Sequence, residues 1–421
     1  MRPQECPASA ASGWSEPAKP LLHLHAPFEP SGRSVLRSRL MDAYVVSALR
    51  TPLGRRNGAL SKVHPADLLG GLLATLVDRA AIPKDALDDV IVGCVSQVGA
   101  QSFNLARTAL LSAGFPESVP GVTIDRQCGS SQQAVHFAAQ GVMSGAYDLV
   151  VAAGVEVMSM VPMLSSQTDG FEAGHGAPLE GLLWQARYGG AEISQFHGAE
   201  LLAARFHLTR TELDAFALRS HTLAAAAQDT HAFDQEIIPQ PTLLSDEGIR
   251  RSSTPEALAA LRILREGGVL TAATSSQVSD GAAALLLASE SALERFHLKP
   301  IARVAATSLA GSDPVVMLDA VIPATQKLLG RAGMSLAQID LYEVNEAFAS
   351  VPLAWLQVLG ADMERLNVHG GAIALGHPLG ASGARLATTL IHALHTHSKR
   401  WGLQTMCEAG GLANATLFEA L

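Results

Sequence analysis

From residue 41 onward, short apolar runs alternate with longer stretches whose apolar residues recur at helical spacing. Residues 43–48, 89–95 and 148–153 predict strands, and residues 130–144 predict a helix that ends at Gly145. A glycine directly after the last apolar position is a common helix C-terminus. This alternation predicts an α/β protein whose sheets are covered by helices.

The second half of the chain repeats this order. Residues 340–344 form a strand-like run that leads into Asn345, and residues 382–395 predict a helix that follows a glycine-rich loop. A further strand-like run covers residues 414–418. Two similar halves would bring their loop-to-helix junctions together where sheet ends meet helix starts. We therefore expect one shared site between the halves.

A long segment, residues 159–278, interrupts the alternation. It contains glycine-rich, polar and proline-containing stretches around two predicted helices, 199–206 and 211–227. Such insertions at the functional end of an α/β core commonly build the substrate-binding surface. The predicted units are an N-terminal extension (1–40), an N-terminal half in two pieces (41–158 and 279–308), an insertion (159–278) and a C-terminal half (309–421).

Composition excludes two classes of partner. The chain has 421 residues, and 48% of them are hydrophobic, which is enough for more than one core. Its formal charge of -9 lacks the broad positive field of a protein that tracks nucleic acid phosphates. No apolar run approaches the roughly 20 residues that span a bilayer. We expect neither a nucleic acid partner nor a membrane span.

Cysteine usage indicates a reducing compartment. The chain has only Cys6, Cys94, Cys128 and Cys407, and no pair has C-x-x-C spacing, so neither a disulfide scaffold nor a metal knuckle is predicted. The cytoplasm is the expected location. Residues 1–40 hold six prolines and no long apolar run, which is typical of a disordered extension rather than a secretory signal.

The first chemical motif is the stretch from Asp125 to Ser131, DRQCGSS, at the start of the helix predicted over 130–144. A cysteine at the mouth of a helix is close to unpaired N–H groups and the positive end of the helix dipole, which favour the thiolate. Cys128 is therefore a candidate nucleophile. The alternative is a cysteine that only packs in the core.

The second motif is the glycine-rich stretch from Asn367 to Gly383 around His377. So many glycines imply close backbone approaches and left-handed conformations, which suit a loop that must fit around something. His377 is a candidate base, and a structural histidine is the alternative.

Two shorter motifs complete the set. Cys407 lies before the turn Glu408-Ala409-Gly410-Gly411, whose backbone could direct N–H groups into a cavity as an oxyanion hole requires. The alternative is an ordinary turn between strands. Asn345 begins the stretch Asn-Glu-Ala-Phe after a predicted strand, and a helix N-cap is the alternative for its side chain.

Together these four motifs resemble the thiolase family, in the same order and with similar separations, from Met41 to Leu421. The resemblance implies an α/β fold of two similar βαβαβαββ halves in a layered αβαβα arrangement, with an inserted loop domain that binds coenzyme A (CoA). It also implies reversible thiolysis of 3-ketoacyl-CoA to acetyl-CoA and a shortened acyl-CoA, or the Claisen condensation, through an acyl-cysteine intermediate. No metal or redox cofactor is expected. Acyl-CoA and CoA are the expected partners, and homodimers or homotetramers are the expected assemblies.

The resemblance also implies residue roles. Cys128 would be the acylated nucleophile and His377 its base, while Cys407 would be the second acid and base. Asn345 would hold a water in one oxyanion hole. The backbone at Ala409 and Gly410 would form part of the other.

For CoA, the resemblance implies contacts from Arg250, Ala272 and Ser276 in the insertion, with Ala347 and Phe348 as the far wall. Arg250 belongs to a basic stretch that also includes Arg251, Arg262 and Arg265, and arginine suits phosphate binding, although a solvated helix face would look the same.

Two other functions are compatible with part of this pattern. A ketoacyl synthase shares the doubled architecture and a nucleophilic cysteine, but would use two histidines and lack Cys407. A catalytically silent CoA-binding scaffold would not need Cys128, His377, Cys407 and Asn345 to be intact together.

Overall fold

The computed structural model describes residues 41–421. The predicted disordered extension, residues 1–40, and Cys6 within it lie outside the described residues. Across the part that is described, no helix combines the length and apolar character needed to cross a bilayer.

The described strands are β1 Tyr44–Arg50, β2 Gly54–Arg55, β3 Asp89–Gly93, β4 Val122–Ile124, β5 Leu149–Val157, β6 Ser279–Ala288, β7 Ala302–Gly311, β8 Leu341–Val344, β9 Trp401–Glu408 and β10 Leu412–Ala420. The described α-helices are α1 Pro65–Arg79, α2 Leu105–Ser112, α3 Ser130–Met143, α4 Ser165–Glu172, α5 Leu182–Tyr188, α6 Gln195–Arg205, α7 Arg210–Asp229, α8 Pro255–Ala259, α9 Glu290–Phe296, α10 Val321–Ala332, α11 Ser350–Leu359, α12 Ala372–Leu375 and α13 Ser382–Thr396.

The strands form one hydrogen-bonded ladder in the order β4-β3-β5-β6-β1-β7-β10-β9-β8, with β2 beside β6. Its two halves meet at β1 and β7, an antiparallel pair that is joined through Tyr44–Arg303 and Val45–Ala302. Strands β3, β4 and β5 are parallel, as are β8 and β9, while the other neighbours are antiparallel. The central joint is therefore short, and side-chain packing must contribute to holding the halves together.

The two halves have the same order of elements. The first runs β1-α1-β3-α2-β4-α3-β5-β6, and the second runs β7-α10-β8-α11, then α13-β9-β10. In the second half, the position of β4 is occupied by a single bridge between Tyr342 and Leu366. The predicted doubled fold is confirmed, with one strand of the second half reduced to that bridge. The predicted division between residues 308 and 309 falls inside β7.

The three largest hydrophobic clusters of the described residues lie between the helix layers and the strands. One lies between α1, α2 and the strands of the first half, and another between α10, α11 and the strands of the second half. The third lies in the middle, where α3 and α13 pack against both halves through small residues such as Ala138 and Ala387. A Cβ at Gly383 would overlap with the backbone of Gln132, so α13 can approach α3 closely only with glycine there. The result is the predicted αβαβα layering.

Residues between β5 and β6 form the inserted segment. Its predicted helices are observed as α6 and α7, and it also contains α4, α5 and α8. Buried Arg50 of β1 anchors it through ion pairs with Glu236 at 2.6 Å and Asp246 at 2.7 Å. Because all three side chains are withdrawn from water, each depends on its partners for compensation.

Candidate active site

Cys128 lies at the junction between the two halves. The preceding residue, Gln127, has a left-handed φ of 48°, and the following residue, Gly129, is the N-cap of α3. The Cys128 side chain packs in a cluster with Met158 of the first half and with Leu379 and Met406 of the second half. Because Met406 directly precedes Cys407, the cluster brings the two predicted cysteines into one region.

The Cys128 thiol is more buried than its place at a helix start suggests. Burial, followed by the charge that Glu408 carries when it is ionised, raises the pKa of Cys128 to about 12. The expectation that the helix N-terminus would favour the thiolate is therefore wrong. Removal of the sulfur from water outweighs the helix dipole, so the resting group is a thiol that needs a base.

His377 is held in a defined orientation. Its Nδ1 atom lies 2.6 Å from Oγ of Ser382, and the Ser382 hydroxyl donates to the Pro378 carbonyl at 2.8 Å. Since that hydroxyl proton is used on the carbonyl, Ser382 must accept from Nδ1–H. The Nε2 atom is then the unprotonated one, and it faces Nδ2 of Asn345 at 3.3 Å. Ser382 is a positioning residue that sequence reasoning did not single out.

The protonation state of His377 suits a base. Burial, with a smaller contribution from Arg385, lowers the pKa of His377 to about 3. The imidazole is therefore neutral at physiological pH and can accept a proton through Nε2.

Asn345 continues the line of β8 beyond its last residue. Its backbone N–H donates to the Thr405 carbonyl at 3.0 Å, which places it beside β9 two residues before Cys407. Helix α11 begins only at Ser350 and has Ala349 as its N-cap, so the N-cap alternative for Asn345 is wrong. The side chain is buried, and its Oδ1 atom has no hydrogen-bond partner within residues 41–421.

Cys407 lies near the end of β9, opposite Ala413 of β10. Burial, then the charges of Cys128 and Glu408, raise the pKa of Cys407 well above its usual range. After Glu408, the chain turns through Ala409 and two glycines with left-handed φ angles of 86° and 77° into β10. Gly410 is therefore exposed at the tip of a hairpin that begins beside Cys407.

A buried carboxylate that sequence reasoning missed connects the halves. Glu156, in β5, accepts hydrogen bonds from the backbone N–H groups of Val95, Ser96 and Gly380, at 2.9, 3.1 and 2.9 Å. Gly380 belongs to the loop that carries His377, so Glu156 fixes this loop to the first half. Only three-dimensional contact could reveal this, because the donors are distant in sequence.

An open groove of about 580 Å³ contains two of the predicted CoA contacts, Arg250 and Ala272. Its lining also includes Arg55, at the end of β2, and Arg56, the next residue, both of which sequence reasoning missed. Arg55 pairs with Glu247 at 3.0 Å, whereas Arg56 is an exposed guanidinium at the rim. The groove therefore carries net positive charge along one side, suitable for phosphates.

The remaining predicted CoA contacts lie together. Ser276 donates its backbone N–H to the Ala347 carbonyl at 2.9 Å, and the Phe348 ring packs edge-on against Phe196 at 5.4 Å between centroids. Two other arginines of the basic stretch are engaged elsewhere: Arg251 pairs with Asp229 at 2.8 Å, and Arg265 pairs with Glu192. Arg262 is exposed.

Residues 43–291 match the family model described as Thiolase, N-terminal domain, and residues 298–420 match the one described as Thiolase, C-terminal domain. Fold, motifs and family models agree, and the chain belongs to the thiolase family. It is an enzyme of the predicted acyltransferase class, and the ketoacyl synthase and silent scaffold alternatives are not favoured.

Named relatives support the same conclusion. A Mycobacterium tuberculosis protein named Steroid 3-ketoacyl-CoA thiolase FadA6 is 49% identical over 400 residues, which cover 94% of this chain and 97% of the relative. The 3-ketoacyl-CoA thiolase FadA of Escherichia coli K12 is 42% identical over 394 residues, covering 89% and 98%.

Solved structures of thiolases superpose on most of this chain. The Bacillus anthracis acetyl-CoA acetyltransferase superposes with a TM-score of 0.82 at 37% identity, covering 91% of this chain and 99% of that one. Human mitochondrial 3-ketoacyl-CoA thiolase in complex with CoA superposes with a TM-score of 0.81 at 32% identity, covering 91% and 98%.

Proposed function

We propose that this thiolase cleaves 3-ketoacyl-CoA with CoA, or makes the same carbon–carbon bond in reverse, through an acyl group on Cys128. The observation that supports this most strongly is the arrangement of His377, whose unprotonated Nε2 faces Asn345. A neutral base next to an amide donor suits both activation of a thiol and stabilisation of a thioester oxyanion.

In the first half-reaction, His377 takes the Cys128 proton and the sulfur attacks the 3-keto carbon. The bond between C2 and C3 breaks, and Cys407 gives its proton to C2 of the departing acetyl-CoA. In the second half-reaction, the thiol of a new CoA gives its proton to the Cys407 thiolate and attacks the acyl carbon. The bond between that carbon and the Cys128 sulfur breaks, and the sulfur takes its proton back from His377. The products are acetyl-CoA and an acyl-CoA that is two carbons shorter.

Negative charge develops on oxygen in both half-reactions. We propose that His377 and a water held by Asn345 stabilise one oxyanion, and that the N–H groups of Cys128 and Ala409 stabilise the other. The left-handed Gly410 supports the second proposal, because it turns the chain sharply just after Ala409 and leaves that segment at the mouth of the hairpin.

CoA is proposed to bind along the groove that contains Arg250 and Ala272, with its pantetheine arm passing Ser276 toward the wall at Ala347 and Phe348. The insertion would supply most of this surface, as predicted. Arg56 from the first half is added to the predicted set, because its exposed guanidinium lines the same groove. CoA thioesters are thus the proposed substrates.

The acyl group is proposed to lie against the methionines beside Cys128. Met158 packs in the Cys128 cluster and Met163 lies against it, and flexible thioethers adapt to different acyl shapes. A relative at 49% identity carries the name of a steroid thiolase, so ring-bearing 3-ketoacyl-CoA esters belong in the test.

The experiment is a thiolysis series with free CoA, from acetoacetyl-CoA through long chains to ring-bearing esters.

The outcomes of this series are distinct. Release of acetyl-CoA with any member supports the proposal, and the best member defines the acyl preference. Absence of cleavage with every member, together with tight CoA binding, would favour the silent scaffold. Condensation without cleavage would favour the ketoacyl synthase.

A homodimer or homotetramer is the proposed assembly. Strand β4 ends the ladder with an open edge, where Val122 is 40% exposed, and the nearby Phe103 side chain is 94% exposed. An open strand edge beside an exposed aromatic ring is a suitable surface for a second copy.

The cytoplasm is the proposed location, and the free thiols of Cys94, Cys128 and Cys407 are compatible with it.

A further inference from the structure

The carboxyl group of Glu408 lies directly beside the nucleophile turn. Glu408 is fully buried at the end of β9, immediately after Cys407. A Cβ on Gly129, the residue after Cys128, would overlap with the Glu408 carboxyl. The carboxyl therefore packs against the backbone that begins α3.

One oxygen of Glu408 is paired and the other is not. With the Asn414 amide oriented to satisfy both of its ends, its nitrogen donates to Oε1 of Glu408 at 2.7 Å and its oxygen accepts from the Gln133 N–H at 3.1 Å. The Oε2 atom is buried and has no hydrogen-bond partner among residues 41–421. A buried carboxylate with a bare oxygen is costly, whereas a protonated carboxyl is tolerated there.

The groups around Glu408 determine its charge. Asp125, Arg126 and Cys128 lie near it in the turn that precedes α3, and Cys407 precedes it on its own strand. Strand β10 contributes the uncharged Asn414. Burial, only partly opposed by Arg126, raises the pKa of Glu408 to about 8. The group is therefore mainly neutral at pH 7 and becomes charged in mildly alkaline solution.

We propose that Glu408 is a positioning residue that controls the charge around Cys128: as a neutral carboxyl it permits the Cys128 thiolate, and as a carboxylate it opposes it. This rests on the proposed role of Cys128 as nucleophile. The physical reason is that two negative charges in a site of low dielectric repel strongly. Glu408 itself touches neither the acyl group nor CoA in this proposal.

The test measures alkylation of Cys128 by iodoacetamide from pH 6 to pH 9.5, with the modified residue identified by peptide mass spectrometry. The variant is Glu408→Gln, which copies the neutral carboxyl, and Glu294→Gln on exposed α9 is the matched control. At pH 6.5 the three proteins should react equally. At pH 9, Glu408→Gln should react about tenfold faster, because only the other two carry the opposing charge.

A second measurement needs no variant. In the wild-type protein, the logarithm of the alkylation rate should rise with a slope below one per pH unit around pH 8, where Glu408 ionises. Equal pH profiles for wild type and Glu408→Gln, or a rate ratio that is the same at every pH, would overturn the proposal but not the role of Cys128. Unmodified Cys128 in an active enzyme would overturn both.

Discussion

The Nε2 atom of His377 lies 3.3 Å from Nδ2 of Asn345. The imidazole of the loop before α13 is thus in contact with the amide that follows β8. Sequence separation between them is 32 residues, and only the fold of the second half brings them together. This contact is where the proposed mechanism requires both a base and an oxyanion donor.

Asn345→Ala should reduce the thiolysis rate on the order of 100-fold, because the variant removes the amide that is proposed to bind the water of the oxyanion hole. The KM for CoA should change little, since Asn345 is not in the CoA groove. Steady-state kinetics with acetoacetyl-CoA check this. A variant with full kcat would show that the amide has no part in the chemistry.

Ser382→Ala should lower kcat about tenfold, because His377 Nδ1–H loses the acceptor that fixes the tautomer and the ring orientation. Thr388→Val is the matched control: it lies on the same helix and is buried, and its hydroxyl has no partner among the described residues. Equal losses in both variants would indicate general damage to α13 rather than loss of the His377 contact.

The pH dependence of acylation follows from the pKa of His377, which is lowered to about 3. The imidazole stays neutral between pH 7 and pH 5, so protonation of this base should not slow acylation in that range. Single-turnover acylation, followed by rapid quench and mass spectrometry, should be flat from pH 7 to pH 5. A rate loss centred near pH 6.5 would show an ordinary, solvated histidine.

Arg56→Ala should raise the KM for CoA about five- to tenfold, because the variant removes a guanidinium that we propose pairs with phosphate. With pantetheine as the acyl acceptor, which has no phosphates, the same variant should match wild type. Arg251→Ala is the matched control, since that arginine already pairs with Asp229. An equal effect on both acceptors would place Arg56 outside the phosphate site.

Gly154→Ala should destabilise the protein by about 2 kcal/mol or more. A Cβ there would overlap with the carbonyl of Gly380, and backbone cannot move aside as a flexible side chain can. Denaturant unfolding measures the loss. Gly170→Ala, which has open space around the added carbon, should change the free energy of unfolding little.

Much of the fold could be predicted from the sequence, because helical spacing and buried runs are local signals. The helix predicted over 130–144 is observed as Ser130–Met143, and the one over 382–395 as Ser382–Thr396. The strand predicted over 148–153 extends to Val157, because its pairing with β6 continues. Cross-strand pairing is not visible in a local pattern.

The site could be predicted only as far as its motifs extend. Cys128, His377, Cys407 and Asn345 stand out because unusual residues mark them. Ser382 and Glu156 were missed, since their roles depend on hydrogen bonds that only the folded chain forms. The pKa of Cys128 was predicted in the wrong direction, because burial by the other half is invisible at the motif.

The most direct measurement of the central claim is peptide mass spectrometry of the enzyme after brief mixing with 3-ketoacyl-CoA in the absence of free CoA. We predict an acyl adduct on Cys128 in the wild type and no adduct in Cys128→Ala. When Cys407→Ala is mixed with acyl-CoA, we predict an adduct on Cys128 but no steady-state turnover. An adduct on any other side chain, or turnover by Cys128→Ala, would contradict the account.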